Sequence, residues 1–386
     1  MDKIKVIIAF GTRPEAIKML PIVKKMDESD AFHPITVVTA QHREMLDQVL
    51  DYFKVKPDYD LNIMRKQQTL TQITSRILEE MEEVLISERP DVILVHGDTT
   101  TTAAVSLAAF YQQITIGHVE AGLRTWNKYS PFPEEMNRQL TDVLSDLYFV
   151  PTRSGKKNLL LENHKENKIF ITGNTVIDAL QYTLKEDYHH PILDEVNTKH
   201  KKMILLTMHR RENQGQPMLE VFEAVRNIAI EYKDEVEIIF PVHLNPLVQR
   251  AAMEKFAQVT NVHLITPLEV ADFHNIASKS YLILTDSGGI QEEAPSLGVP
   301  VLVLRNETER PEGVTAGTLK LVGTKKEVIE KAMKKLLDNE EAYKSMSQAS
   351  NPYGDGKSSE RIMKILIQQF ADGKLRATDN LFRTTE

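Results

Sequence analysis

Two doubly wound α/β domains in succession are what this sequence predicts, and three observations carry the prediction. Short β-branched runs, apolar almost throughout, alternate with longer amphipathic segments, as strands buried on both faces of a parallel sheet require. The pattern breaks off in a polar stretch and then restarts. The chain has 386 residues, too many for one ordinary domain and enough for two that each bury a core.

In the first half the strand-like runs cover 6–10, 36–39, 92–96, 115–119, 147–150 and 169–172, with helical patterns between them. In the second half they cover 203–207, 236–240, 262–265, 282–285, 299–304 and 318–322. The boundary is expected near residue 172, at Gly173-Asn174, or in the polar segment 185–202, where His189, His190, Pro191 and a cluster of lysines interrupt the periodicity. An N-terminal Rossmann-like domain over 1–172 and a C-terminal one over 173–356 follow. After the turn-rich Asn351-Pro352-Tyr353-Gly354-Asp355-Gly356, one more helical pattern runs from Ser358 to about Phe370. Residues 357–386 should therefore form a helix that crosses back onto the first domain, followed by a polar tail that frays.

Composition narrows the function. Hydrophobic content of 41% with 26% charged residues is that of a globular protein, and no run approaches the roughly 20 apolar residues of a membrane span. The opening Met1-Asp2-Lys3-Ile4-Lys5 leads into an apolar segment that Gly11 and Arg13 end too early for a signal peptide. Zero cysteines fit a reducing cytoplasm and remove disulfides, thiolate nucleophiles and the tighter zinc sites. The net charge of -8 argues against nucleic acid as the main partner.

In open α/β sheets, ligands bind beyond the carboxyl ends of the strands, and polar residues gather there in this chain. The first strand runs into Gly11-Thr12-Arg13-Pro14-Glu15, a turn into a helix N-terminus with an arginine beside it, suited to a phosphate or equally to an ordinary strand-to-helix turn. It is not a dinucleotide fingerprint, since GxGxxG is absent. His96-Gly97-Asp98-Thr99-Thr100 follows a later strand, where Asp98 alone could be an N-cap. The next strand ends in His118-Val119-Glu120-Ala121-Gly122-Leu123-Arg124, and the loop after it reaches Pro133-Glu134-Glu135-Met136-Asn137-Arg138. Asp98, Glu120 and Glu134 can thus converge, and convergent carboxylates can split their pKa values into acid and base roles.

In the second half, Thr207-Met208-His209-Arg210-Arg211-Glu212-Asn213 and Pro241-Val242-His243 end their strands the same way. Thr285-Asp286-Ser287-Gly288-Gly289-Ile290-Gln291-Glu292-Glu293 reads as strand, turn and helix, with two glycines that let backbone N–H groups approach a diphosphate. Glu293 is placed to accept from ribose hydroxyls. His96, His118, His209 and His243 form no compact metal-ligand spacing, so no metal site is favoured. Ser287 lacks the G-x-S-x-G context of a hydrolase nucleophile.

Taken together, in this order and over nearly the whole chain, these motifs resemble the bacterial non-hydrolysing UDP-N-acetylglucosamine 2-epimerases. The resemblance implies two Rossmann-like domains facing a central cleft in the GT-B manner, a homodimer, and no metal or redox cofactor. It implies elimination of UDP to a bound 2-acetamidoglucal and its re-addition, with Asp98, Glu120, Glu134 and His209 as catalytic residues. Arg13, Ser287, Gly288 and Gly289 would hold the diphosphate, Glu293 the ribose, Phe273 the uracil, and Lys18 would add positive charge. Gln41, Glu134, Arg210 and His243 match a second pocket in which UDP-N-acetylglucosamine activates some members, whereas Glu44 and Gln67 stand where close relatives carry Gln and Arg. A hydrolysing 2-epimerase releasing N-acetylmannosamine, a GT-B glycosyltransferase and a non-catalytic nucleotide-sugar sensor are the competing readings. An acceptor-binding surface would favour the transferase, and missing carboxylates the sensor.

Overall fold

The computed structural model of the protein describes residues 3–41, 43–65, 67–197 and 200–375; the Met1-Asp2 start and the tail expected to fray lie outside the described residues. Two compact units divide the chain: residues 1–182 with 354–386, and residues 183–353.

The first unit is built on a 7-stranded parallel sheet in the order β3-β2-β1-β4-β5-β6-β7. Its strands are β1 (Ile4–Phe10), β2 (Phe32–Val38), β3 (Tyr59–Asp60), β4 (Val92–His96), β5 (Thr115–Val119), β6 (Leu147–Val150) and β7 (Ile169–Ile171). Ile7, Val37, Ile93 and Val95 carry the apolar core toward Ile77, Met81, Val105 and Ala109 of the covering helices. The strand β3 was not anticipated: two residues are too few for an apolar run, and Tyr59 is only partly buried.

The second unit repeats the design with a 6-stranded parallel sheet in the order β10-β9-β8-β11-β12-β13. Here the strands are β8 (Lys202–Thr207), β9 (Val236–Pro241), β10 (Val262–Ile265), β11 (Leu282–Thr285), β12 (Val301–Val303) and β13 (Leu319–Leu321). One face packs Phe222, Phe240 and Phe256 edge to face or tilted, with ring centroids 5.4–6.4 Å apart.

Both sheets reverse their strand order beside the first strand. The switch lies between β1 and β4 in one unit and between β8 and β11 in the other. Loops leaving the switch-point strands diverge to opposite faces and leave a crevice, the standard ligand position of such sheets. The segments after β1, β4, β8 and β11 carry polar motifs, as do those after the neighbouring strands β5 and β9.

The division between Tyr182 and Thr183 falls later than the boundary expected near residue 172. The helix Thr175–Thr183 stays with the first unit up to Tyr182 because its buried Asp178 accepts from the backbone N–H groups of Ser358 (3.1 Å) and Ser359 (2.7 Å). Those residues open the helix Ser358–Ala371, and the Asp178 carboxylate caps them. Burial pushes the Asp178 carboxyl up, against the pull of these hydrogen bonds. Lys25 on the helix Arg13–Asp27 reaches Glu360 at 2.9 Å and ties the last helix to the first.

Candidate active site

The polar segments of the first unit surround one cavity of about 430 Å³, lined by Thr12, Arg13, Pro14, Glu15, Lys18, Met45, His96, Gly97, Asp98, Thr99 and Glu120. Local chemistry explains each wall. Thr12 caps the helix Arg13–Asp27 and shares a capping box with Glu15, whose buried carboxylate accepts from Gly11 N at 3.1 Å and Thr12 N at 2.8 Å. Arg13 and Lys18 follow on that helix, five residues apart. After β4, Thr99 rather than Asp98 is the N-cap, accepting from Thr102 N at 3.1 Å. Asp98 is therefore not consumed as a cap, and its carboxylate pairs with Arg138.

Glu120 is the centre of the arrangement. It follows β5 in the left-handed region at φ 65°, strain of about 1 kcal/mol for a residue with a Cβ and common at functional sites. Its Oε2 bonds to Lys18 Nζ, accepts from Asn174 Nδ2 at 2.8 Å, and lies 3.5 Å from His96 Nε2. Burial would raise this carboxyl. The charges of Lys18 and His96 outweigh burial and hold it well below the usual carboxylate range. His96 is itself buried, and among the described residues neither ring nitrogen has a hydrogen-bond partner, Glu120 being the near charge.

Glu134 and Glu135 open the helix Glu134–Leu144 and part company there. Glu135 is fully buried and accepts from Thr125 N (3.0 Å), Trp126 N (3.1 Å) and Gln139 Nε2 (2.8 Å), so it pins the loop after β5. Glu134 is partly exposed and not among the residues lining the cavity. It lies one turn before Asn137, whose amide donates to the Asp98 carbonyl at 3.0 Å, and Arg138.

In the second unit the fully buried Asp286, just after β11, organises the segment after β8. Its carboxylate accepts from His209 N (3.1 Å), Arg210 N (3.0 Å) and Asn213 Nδ2 (3.0 Å), and stands 3.2 Å from His209 Nδ1. The His209 ring is half-exposed and stacks near His243, with centroids 6.3 Å apart. Desolvation lowers the His209 pKa, with Asp286 pulling the other way. The side chain of Arg211, the second arginine of that motif, lies outside the described residues.

Ser287 leads into Gly288–Glu293, a helix of 6 residues. A Cβ at Gly288 would stand 3.3 Å from Arg310 Cζ and 3.7 Å from Arg210 Nη2, so a side-chain-free turn and two guanidinium groups crowd one spot. Glu293 lies 3.3 Å from the buried His274, which adjoins Phe273 edge to face. Among the described residues no group of three His, Cys, Asp or Glu side chains could hold a metal ion, and no helix is long and apolar enough to cross a membrane.

Comparison with known proteins meets this geometry. The family described as UDP-N-acetylglucosamine 2-epimerase matches residues 24–367. The chain belongs to that family. A UDP-N-acetylglucosamine 2-epimerase of Bacillus subtilis is 60% identical over 367 residues, covering 95% of this chain and 96% of its own. A crystal structure of a UDP-N-acetylglucosamine 2-epimerase superposes with a TM-score of 0.89 at 56% identity, covering 100% of both chains. The enzyme of Neisseria meningitidis, solved with UDP-GlcNAc bound, gives 0.85 at 48% identity, covering 95% of this chain and 100% of its own.

Within this epimerase fold, the structure brings Arg13, Lys18, Asp98 and Glu120 to one cavity and gathers His209, Arg210, His243 and Ser287 to Gly289 around Asp286 and Arg310. Gln41 accepts from Thr101 at 3.2 Å beside the first group. Sequence reasoning did not single out Asp286, Asn213 or the arginine and glutamate cluster of 305–310. In that cluster Arg305 bonds Glu309 at 2.8 Å and Arg310 bonds Glu292 at 2.9 Å. The alternation of signs in Arg305-Asn306-Glu307-Thr308-Glu309-Arg310 was the available signal.

Glu309 gives this cluster a pH signature. Burial would raise its carboxyl, but Arg305 and Arg310 together bring it from 4.5 to about 2. A folded-state pKa below the unfolded one stabilises the native form fully above the unfolded value and progressively less as pH falls toward the folded one. Acid titration of stability should therefore fall between about pH 4.5 and about pH 2, and Glu309→Gln should lose less than the wild type over that window. Equal losses would remove Glu309 from the ion-pair cluster.

Proposed function

We propose that the protein interconverts UDP-N-acetylglucosamine and UDP-N-acetylmannosamine by inverting C2 of the sugar. The observation that carries this reading is the cavity in which Asp98 and the ionised, strained Glu120 stand beside Lys18 and Arg13. Carboxylates serve proton transfer at carbon, and fixed cations serve a departing diphosphate. The binding of UDP-GlcNAc by the Neisseria relative supports the substrate assignment.

The C2 proton of a bound N-acetylglucosamine is too weakly acidic for simple abstraction and return. Instead, a base takes that proton while the C1–O bond to UDP breaks, leaving 2-acetamidoglucal and UDP. The electron pair of C2–H becomes the C1=C2 bond and that of C1–O leaves with the diphosphate. Re-addition of UDP at C1 and delivery of a proton to the opposite face of C2 complete the inversion, with no oxidant needed. Asp98, Glu120, Glu134 and His209 share proton removal, proton return and assistance to UDP. Arg13, Lys18 and the Ser287-Gly288-Gly289 turn beside Arg310 stabilise the diphosphate, with Glu293 on the ribose and Phe273 near the uracil.

The enzyme is non-hydrolysing in this reading. It acts in the cytoplasm as a homodimer and supplies cell-surface polysaccharide synthesis. Exposed Phe110 and Tyr111 on the helix Thr100–Tyr111, and Leu140 and Val143 on the contacting helix Glu134–Leu144, support a face that pairs with a second copy. Product analysis separates the alternatives. Incubation with UDP-N-acetylglucosamine should leave the sugar nucleotide-linked as a mixture of the two epimers, whereas free N-acetylmannosamine as the main product would establish hydrolysis instead.

A second molecule of UDP-N-acetylglucosamine, held by Gln41, Glu134, Arg210 and His243, acts as activator in the same reading. The reverse reaction begun with UDP-N-acetylmannosamine alone should show a lag that a trace of UDP-N-acetylglucosamine removes. A linear start would count against the activating pocket.

A further inference from the structure

The first unit contains a buried polar array that the reaction above does not use. His118 on β5 has no exposed surface, and its two ring nitrogens face two oxygens: Nδ1 lies 2.6 Å from Asp142 Oδ1, and Nε2 lies 2.7 Å from the Gly97 carbonyl. Both oxygens are acceptors, so each ring nitrogen stands within hydrogen-bond distance of an acceptor. Asp142, also without exposed surface, uses Oδ2 to accept from Gly122 N (3.3 Å) and Arg124 Nη2 (2.6 Å). Arg124 continues to Glu162 through Nε (2.7 Å) and Nη2 (2.5 Å).

The two backbone groups gripped by this array belong to the turns that carry the reaction's carboxylates. Gly97 immediately precedes Asp98, and Gly122 lies two residues after Glu120. Both glycines stand in the left-handed region, at φ 67° and 82°, where other residues are strained. At Gly122 there is no room for a side chain either, since a Cβ would strike the backbone of Gly155. Burying the charges of Asp142 and Arg124 costs several kcal/mol of desolvation, and apolar packing of equal volume would often be as stable. A stable core alone therefore does not call for this arrangement. Fixing two loops relative to each other does, because a hydrogen-bonded array permits one geometry where apolar packing permits several.

We propose that His118, held by Asp142, is a positioning residue for the epimerisation: it ties the Gly97 turn to the Gly122 turn and so sets Asp98 and Glu120 at the spacing the C2 chemistry needs. The inference rests on the reading of the reaction given above. Its effect is on the bond-making step and not on the second unit's grip on UDP, which gives it a distinct kinetic form.

The test compares His118→Asn with His118→Gln in the full-length enzyme. The Asn amide reaches the Nδ1 position and keeps Asp142 but releases the Gly97 carbonyl; the Gln amide reaches the Nε2 position and keeps the carbonyl. His118→Asn should lower kcat about 100-fold, the size of effect expected when reacting groups shift by an ångström. KM for UDP-N-acetylglucosamine and the affinity for UDP should stay within about threefold, and His118→Gln should recover about tenfold of the loss. Equal losses in the two variants, a loss confined to KM, or rates near wild type would overturn the proposal. Should neither variant fold, Asp142→Asn is read in their place, with the same loss of kcat at unchanged KM expected and a normal rate overturning it. Collapse of all three variants would make the array a scaffold and overturn it as well. A wild type without C2 exchange would instead overturn the reaction itself, so the two failures are distinguishable.

Discussion

Glu120→Gln is expected to lower turnover by about a thousandfold, within the range a general acid or base contributes. The carboxylate meets Lys18, Asn174 and His96 together, and it does so from a strained backbone position. Strain of that kind persists only where surrounding contacts over-determine it. Glutamine preserves the side chain's length and can still accept from Asn174 and Lys18 through Oε1. Folding and UDP binding should therefore survive, and thermal unfolding alongside steady-state rates would separate the two effects. A folded variant within tenfold of wild type would reduce Glu120 to a structural anchor for Lys18.

The second large effect is on stability. Asp286→Ala should reduce the unfolding free energy by about 3–5 kcal/mol, the cost of removing one partner from a buried charged hydrogen-bonded group. Three donors lose their acceptor at once: His209 N, Arg210 N and Asn213 Nδ2. The segment that presents His209 would come loose, so UDP affinity should fall together with stability. Chemical denaturation with a parallel UDP-binding isotherm checks both. A variant as stable as wild type would mean that those N–H groups find other partners.

The sheets were legible in the sequence because a buried parallel strand must be apolar on both faces. Val92–His96 and Thr115–Val119 therefore stand out against the helices around them. Site residues that sit at strand ends, such as Asp98, Glu120 and His209, were legible for the same reason: the position of the strand locates them. What was not legible depended on contacts far apart in the chain. Lys18 meets Glu120 across 102 residues, and Asp142 meets His118 from a helix whose pattern gives no hint of it beyond a charge on its inner face. Arg138 and Asp142 fall four apart on that helix and are both buried, but their spacing does not say which groups they meet. The late boundary had a similar cause, since Asp178 belongs to the first unit through helix-capping bonds to residues that follow the whole second unit.

Incubation of the protein with UDP-N-acetylglucosamine in deuterated water tests the central claim most directly. Elimination and re-addition exchange the C2 proton, so mass spectrometry and NMR should find deuterium at C2 in a mixture of UDP-N-acetylglucosamine and UDP-N-acetylmannosamine. Recovery of unlabelled UDP-N-acetylglucosamine alone, from folded protein that binds UDP, would contradict epimerisation at C2.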